Sequence, residues 1–287
     1  MIRLVLAFAC LCGSAEADIT LSLNGVFRWQ QDAPWFGGWS GIEVGADGTQ
    51  MTLISDRGQI IEADLSRTDG QVTDLHITKS TRLSHPDGRR LTGTDTDAEG
   101  LATGEDGRSF VSFEHRHRIM EVDRQTGRSF GQIKVPFEQT LDNNGGIEAL
   151  AIGPDGTLFA LSERRGPGGA PFLLHAYSDG AWRVAAQIPR RGPFVPVGAD
   201  VDPMGRLWLL ERTLTPLGFR SRIRMFTLNP RAPSEVTLLT TGPARHDNLE
   251  GISLWQDAGG QLYLTMISDD NFLRIQQTQI VEYLVLE

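Results

Sequence analysis

Short apolar runs separated by Gly- and Asp-bearing turns recur along the whole chain, and no long stretch follows the period of an amphipathic helix. One kind of run is apolar at every position, as in Leu158-Phe159-Ala160-Leu161 and Leu207-Trp208-Leu209-Leu210, which suits a strand buried on both faces. A second kind alternates, as in Ile60 to Leu65 and Ile119 to Val122. A third is mostly polar, as in Val72 to Ile77, Trp182 to Ile188 and Glu235 to Thr240. The turns ahead of the fully apolar runs are Ala46-Asp47-Gly48, Glu105-Asp106-Gly107, Pro154-Asp155-Gly156, Pro203-Met204-Gly205 and Ala258-Gly259-Gly260. Asp-Gly between apolar segments predicts a tight hairpin.

These runs return in a fixed order. Five times a first strand carries an acid (Glu43, Glu99, Glu148, Asp200, Glu250), a turn follows, and the second strand runs into another acid (Asp56, Glu114, Glu163, Glu211, Asp269). Successive leading acids are 56, 49, 52 and 50 residues apart, a period that marks propeller blades. Four antiparallel strands of increasing polarity describe one blade, whereas solenoid coils repeat at shorter intervals and lack hairpins. The fifth repeat ends one strand short, while Ile19 to Trp29 forms an extended stretch ahead of the first. An N-terminal strand that completes the last blade leaves no open edge. The expectation is an all-β propeller of five four-stranded blades. Six blades are the alternative, if residues 76–96 or 213–222 conceal an irregular one.

In a propeller the innermost strand lines the channel and its neighbour runs antiparallel, so the start of the first and the end of the second meet at one mouth. On that geometry Glu43, Glu99, Glu148, Asp200 and Glu250 form an inner ring, with Asp56, Glu114, Glu163, Glu211 and Asp269 as an outer tier. Like charges confined so closely must take up protons or be neutralised by a cation. Oxygen donors in a flexible ring suit Ca²⁺ better than Mg²⁺ with its strict octahedron. Zinc is poorly served by six scattered histidines and two cysteines that both lie near the N-terminus. The expected ligands of Ca²⁺ are the inner ring together with Asp56 and Asp269. Arg57, Arg116, Arg164 and Arg212 follow the outer acids and either pair with them or hold the anionic part of a substrate. His115 and His117 read as loop residues, with donation to an anion as the alternative. Trp35, Phe36 and Trp39 read as packing for the closure, with a lip over the mouth as the alternative.

Residues 1–17 have the form of a secretory signal, with Arg3, an apolar core from Leu4 to Cys12, and Ala15-Glu16-Ala17 as cleavage site. Processing after Ala17 predicts a periplasmic or secreted protein whose remaining residues, 18–287, form one propeller domain without cysteine or disulfide. No lipobox precedes Cys10 or Cys12, and the apolar run is too short to span a bilayer. The formal net charge of −9 argues against nucleic acid or an anionic membrane surface as partner, and membrane insertion is not expected. A monomer acting on a small anionic or ester substrate is the expectation.

The segments Asp97-Ala98-Glu99-Gly100-Leu101, Leu158 to Arg164, Leu207 to Arg212, and Asn248-Leu249-Glu250-Gly251-Ile252 with Ser268-Asp269-Asp270-Asn271-Phe272 resemble the phytase-like family, described as having esterase-like activity of phytase. The resemblance covers roughly residues 38–285. It implies an exported bacterial β-propeller, calcium-dependent, with phosphoesterase or esterase chemistry. In that chemistry the ion activates a water and polarises the reacting group, one of Glu114, Glu163 and Glu211 serves as general base, and the four arginines hold the remaining oxygens. A calcium-dependent lactonase and a non-catalytic calcium-stabilised propeller that binds a ligand or protein are the alternatives. None needs a serine nucleophile, and the chain has no G-x-S-x-G elbow, H-E-x-x-H helix, P-loop or dinucleotide fingerprint. Two repeats depart from the pattern: the fourth has Asp200 in place of Glu, and the third has Glu148-Ala149 in place of Glu-Gly.

Overall fold

A computed structural model describes residues 19–136, 145–162, 169–228 and 233–287, so the signal-like segment, Glu163 and Arg164 lie outside the described residues. Strand β1 (Thr20–Trp29) comes first in the chain. The first blade is β2 (Trp39–Val44), β3 (Gln50–Ser55), β4 (Gln59–Thr68) and β5 (Gln71–Arg82), and the second is β6 (Ala98–Thr103), β7 (Ser109–Phe113), β8 (Arg118–Val122) and β9 (Ser129–Ile133). The third is β10 (Ile147–Ile152), β11 (Leu158–Ser162), β12 (Phe172–Ser178) and β13 (Ala181–Ile188). The fourth is β14 (Val195–Val201), β15 (Leu207–Thr215), β16 (Gly218–Thr227) and β17 (Ser234–Thr240). The fifth, β18 (Asn248–Gln256), β19 (Leu262–Asp269) and β20 (Thr278–Leu286), takes β1 as its outer strand. The inner strands β2, β6, β10, β14 and β18 touch in sequence and close the ring. Five blades account for all the described strands. Residues 76–96 hold the end of β5 and a short 3₁₀ turn, and 213–222 belong to the long β15–β16 hairpin.

The closure follows the expected plan. β1 pairs antiparallel with β20 from Thr20 opposite Leu286 to Trp29 opposite Thr278. Trp29 stacks on Trp39 with ring centres 5.4 Å apart, and Phe36 meets Trp29 edge-on at 4.7 Å. The aromatic segment ahead of the first blade therefore packs the seam between first and last blades. On the far side of that seam Arg67 of β4 forms an ion pair at 2.7 Å with buried Glu282 of β20.

Near its start each inner strand slips register against its neighbour, at Ser40, Glu99 with Gly100, Glu148, Val197 and Glu250. Such bulges re-aim the extra residue. The residue that follows is glycine in four blades, because the next inner strand runs so close. A Cβ on Gly41 would stand 2.8 Å from the Leu101 Cβ, and one on Gly198 would overlap the Glu250 carbonyl oxygen.

The bulges set which positions are equivalent, and they correct the sequence-based ring. Ser40, Glu99, Glu148, Val197 and Glu250 occupy one level at the mouth where the inner strands begin, the entry mouth. Glu43 and Asp200 lie further along their strands, opposite Thr52 and Trp208, toward the far mouth where the first hairpins turn. The outer tier is corrected in the same way. Asp56, Glu114, Arg212 and Asp269 stand at matching positions on or just beyond their second strands, so in the fourth blade the position belongs to Arg212 and Glu211 is one residue short of it. Because successive strand residues point to opposite faces, that offset turns Glu211 away from the channel.

Candidate functional site

Three blades place a glutamate on the inner level of the entry mouth, Glu99 from β6, Glu148 from β10 and Glu250 from β18. Around them stand Asp56, Glu114 and Asp269, each just beyond or at the end of a second strand, and Asp97 just ahead of β6. The fourth blade offers Val197 and Arg212 instead. Glu250 is buried and accepts hydrogen bonds from the Arg212 guanidinium and, at 2.7 Å, from Asn248 Nδ2. Arg212 also donates to Asn248 Oδ1 at 2.6 Å. Blade four thus supplies a cation to the mouth rather than a further acid.

Burial raises Asp56, Asp97, Glu99 and Asp269 above their ordinary range, and repulsion between neighbouring acids adds to it at all of these but Asp97. Burial pushes Asp269 up to about 8, with Glu250 and then Asp56 adding to the shift. Asp56 rises to about 7 through burial, then Asp97 and Glu250, against the pull of neighbouring Arg57. Glu99 is pushed well above the usual glutamate value by burial first and then by Glu148 and Glu250. Asp97 rises through burial although His115 works against it. One oxygen of Asp56 is buried without a hydrogen-bond partner, an unmet acceptor at the mouth.

At the edge of the mouth Asp97, Glu114 and His115 converge, with the His115 Nε2 3.0 Å from an Asp97 oxygen and 3.9 Å from a Glu114 oxygen. The sequence reading gives neither Asp97 nor Asn248 a role at the site, although both head motif segments. Asp97 was legible as an acid preceding the Glu-Gly bulge, and Asn248 as the residue in the same place before Glu250. Arg57 lies over the Phe272 ring, 3.2 Å from its centre, beside Asp56. Arg116 is exposed and pairs with Asp95 at 3.2 Å. Among the expected anion-binding arginines, then, Arg57 and Arg212 are at the mouth and Arg116 is turned to the 3₁₀ turn ahead of β6.

The remaining expected residues do other work. Glu211 is fully buried, with one oxygen 2.6 Å from Arg222 Nε and the other 2.7 Å from Arg224 Nη2, so both its oxygens are engaged by guanidinium groups away from the mouth. Glu43 accepts a hydrogen bond from the Thr103 backbone N–H at 2.9 Å. Asp200 accepts one from Leu254 N–H at 2.6 Å, and Ser253 Oγ accepts one from Val44 N–H at 2.9 Å. Each of these side chains reaches from one inner strand to the backbone of an adjacent one, fourth to fifth, fifth to first and first to second. Glu43 and Asp200 are therefore inter-blade staples. Burial and then Asp200 push Glu43 up, and burial takes Asp200 to about 7. Both border a cavity of about 760 Å³ at the far mouth, with Arg124 and Trp255 in its wall.

Solved structures resemble this chain at low identity. The PQQ-bound aldose sugar dehydrogenase of Streptomyces coelicolor superposes with a TM-score of 0.50 at 13% identity, over 91% of this chain and 98% of its own. The gluconolactonase XC5397 of Xanthomonas campestris matches with a TM-score of 0.46 at 19% identity, over 85% and 72%. Virginiamycin B lyase of Staphylococcus aureus matches with a TM-score of 0.46 at 14% identity, over 94% and 100%. No curated protein matches the sequence. The family model described as "Phytase-like: Esterase-like activity of phytase" matches residues 34–272. With five blades, Glu-Gly bulges at the entry mouth and that match across most of its length, the chain belongs to the phytase-like family.

Proposed function

We propose that the entry mouth binds Ca²⁺ and hydrolyses a small phosphoric or carboxylic ester there, lactones included. The observation that carries this reading is the convergence of Glu99, Glu148, Glu250, Asp56 and Asp269 at one opening, with Asp56 and Asp269 still holding protons near neutrality. The donor set fits the ion: every group is an oxygen, the set is large enough for the 6 to 8 ligands Ca²⁺ accepts, and the unmet Asp56 oxygen lacks only a partner. These five residues would hold the ion, and Glu43 and Asp200 are left out. When bound, Ca²⁺ would supply a Lewis acid for the phosphoryl or acyl oxygen and for a water.

The chain's own groups define the rest. Arg57, beside Asp56 at the rim, is placed to hold an anionic oxygen of the substrate. Arg212 holds Glu250 in position. Glu114, adjacent to His115 and Asp97, is the acid placed to take a proton from a water at the mouth's edge. Glu163, outside the described residues, stays the alternative general base, and Arg164 keeps the anion-binding role expected of it from the sequence. Export through residues 1–17 belongs to the same reading, since calcium is abundant outside the cell.

A second reading is a non-catalytic calcium-stabilised propeller. The observation favouring it is that Arg212 and Arg116 are engaged within the chain. A panel of phosphomonoesters, carboxylic esters and lactones assayed with excess Ca²⁺ separates the two. Hydrolysis should appear and should fall roughly 100-fold or more in Glu99→Gln and in Glu250→Gln. Hydrolysis that survives both substitutions contradicts the assigned site. Stabilisation by Ca²⁺ without turnover of any substrate favours the second reading.

A further inference from the structure

Just past β19, at the entry mouth, the chain reverses through Asp270-Asn271-Phe272-Leu273, and the Leu273 N–H closes the turn on the Asp270 carbonyl at 2.7 Å. Both central residues are left-handed, Asn271 at φ 47° and Phe272 at φ 53°. Turns with two such residues ordinarily use Asn-Gly, and a bulky aromatic side chain in the second place is an outlier. The two acids before it hold the turn in shape. Asp269 accepts the Asn271 N–H at 2.7 Å. Asp270 accepts the Phe272 N–H at 3.0 Å, the Gly38 N–H at 3.2 Å and the Thr278 hydroxyl at 3.1 Å, which ties the fifth blade to the residues entering the first. An uncommon backbone conformation fixed from several sides points to a side chain whose place matters.

That side chain stands between a backbone and a cation. Gly38 abuts one edge of the Phe272 ring: a Cβ there would lie 2.6 Å from Phe272 Cζ and would overlap the Asp56 carboxylate. The face of the ring carries the exposed Arg57 guanidinium, 3.2 Å from the ring centre. At that distance the planar group lies flat on the ring, so its N–H donors point outward in their own plane and stay available. Among the described residues the Arg57 guanidinium has no hydrogen-bond or ion-pair partner, whereas Arg212 donates to Asn248 and Glu250 and Arg116 pairs with Asp95. An arginine free in water loses rotamer freedom when an anion binds it, and a ring beneath it removes part of that cost beforehand.

We propose that Phe272 is a positioning residue, whose ring holds Arg57 beside Asp56 as the anion-binding group of the entry mouth. The site would then favour esters that carry a negative charge, phosphomonoesters among them, over neutral esters and lactones. The inference rests on the reading that calcium and substrate meet at this mouth. Its test starts from inorganic phosphate, titrated calorimetrically into the full chain with Ca²⁺ below the solubility limit of calcium phosphate, because binding of this probe needs no turnover. The parent should bind phosphate. Arg57→Gln and Phe272→Leu should each weaken that binding roughly tenfold, Phe272→Tyr, which keeps the ring, should bind as the parent does, and Phe272→Leu should add nothing further in the Arg57→Gln background. In hydrolysis, the ratio of kcat/KM for a phosphomonoester to that for a neutral lactone should fall by a similar factor in Phe272→Leu, through KM rather than kcat. A ring that served packing alone would impair both substrates equally. Phosphate bound in this pattern by a chain that hydrolyses nothing counts against the hydrolase reading alone and upholds the positioning role. Absence of phosphate binding by the parent, additive losses in the double variant, or an unchanged ratio overturns it. So does a Phe272→Leu variant that loses the parent's stabilisation by Ca²⁺, which would make the ring a structural part of the mouth.

Discussion

Glu211 and Arg212 show how one residue of strand register decides chemistry. Glu211 faces outward between Arg222 and Arg224, both almost completely buried, whereas Arg212 faces the channel and holds Glu250. The substitution Glu211→Gln leaves two buried guanidinium groups without their shared counter-charge. It should destabilise the fold by about 3–5 kcal/mol in a denaturant melt while leaving the stabilisation produced by Ca²⁺ unchanged. A comparable loss of the calcium response would instead return Glu211 to the site. The raised carboxyls make a second statement about stability. Asp56 and Asp200 have an ordinary value of 3.8 and are held near 7, and Asp269 is held near 8, so the folded chain carries more protons than the unfolded one across that interval. Stability without a cation is therefore fullest below about pH 4 as far as these groups are concerned. It should fall as pH rises toward 8. With saturating Ca²⁺ the mouth's share of that fall, from Asp56 and Asp269, should vanish, leaving the part due to Asp200. Melting midpoints measured from pH 5 to pH 8 with calcium and with chelator check both slopes; parallel curves contradict the assignment.

At the level of strands, what was legible in the sequence depended on which residue served as the reference. Apolar runs, Asp-Gly turns and graded polarity were sufficient for four strands per blade and for the closing N-terminal strand, because burial alone sorts those positions. Levels along the channel needed more. Aligning the repeats on their acids put Glu43 and Asp200 in the ring, whereas aligning them on Gly41, Gly100, Ala149, Gly198 and Gly251 puts Ser40 and Val197 there. The glycine is the better reference because inter-strand distance requires it, while an acid is free to serve either the mouth or an inter-blade staple. The same reasoning separates Ser55-Asp56, Ser162-Glu163 and Ser268-Asp269 from Glu211-Arg212, where the acid stands in the serine's place. What no pattern could show is the pairing of Arg212 with a glutamate of the next blade, a contact made only when the ring closes. The glycine account is testable at Gly198, whose missing side chain lets β14 approach the Glu250 backbone. Gly198→Ala should cost about 1–3 kcal/mol and displace Glu250, lowering calcium affinity along with stability. An alanine variant with unchanged melting and unchanged calcium response would show that close approach at this bulge is not needed.

As a whole molecule the propeller joins rigidity to an unbalanced charge. The ring is shut by β1 on β20, by the Trp29 and Trp39 stack and by the staples from Glu43, Asp200 and Ser253, so the acids of the entry mouth cannot relax apart. Four blades contribute acids there and the fourth contributes Arg212, which leaves the mouth strongly negative and asymmetric. A bound cation would relieve that repulsion, and the fold would then gain the free energy of binding. The direct test is the thermal melt of the full chain at pH 7.5 in millimolar Ca²⁺ and in excess chelator, beside Glu99→Gln and Asp269→Asn. Calcium at about a hundred times its dissociation constant should stabilise the parent by about 2.7 kcal/mol, which for a chain of this size raises the midpoint by roughly 5–10 °C. Each variant should lose most of that rise while melting no lower than the parent in chelator. A parent whose midpoint is the same with calcium and with chelator would contradict a calcium site at the entry mouth.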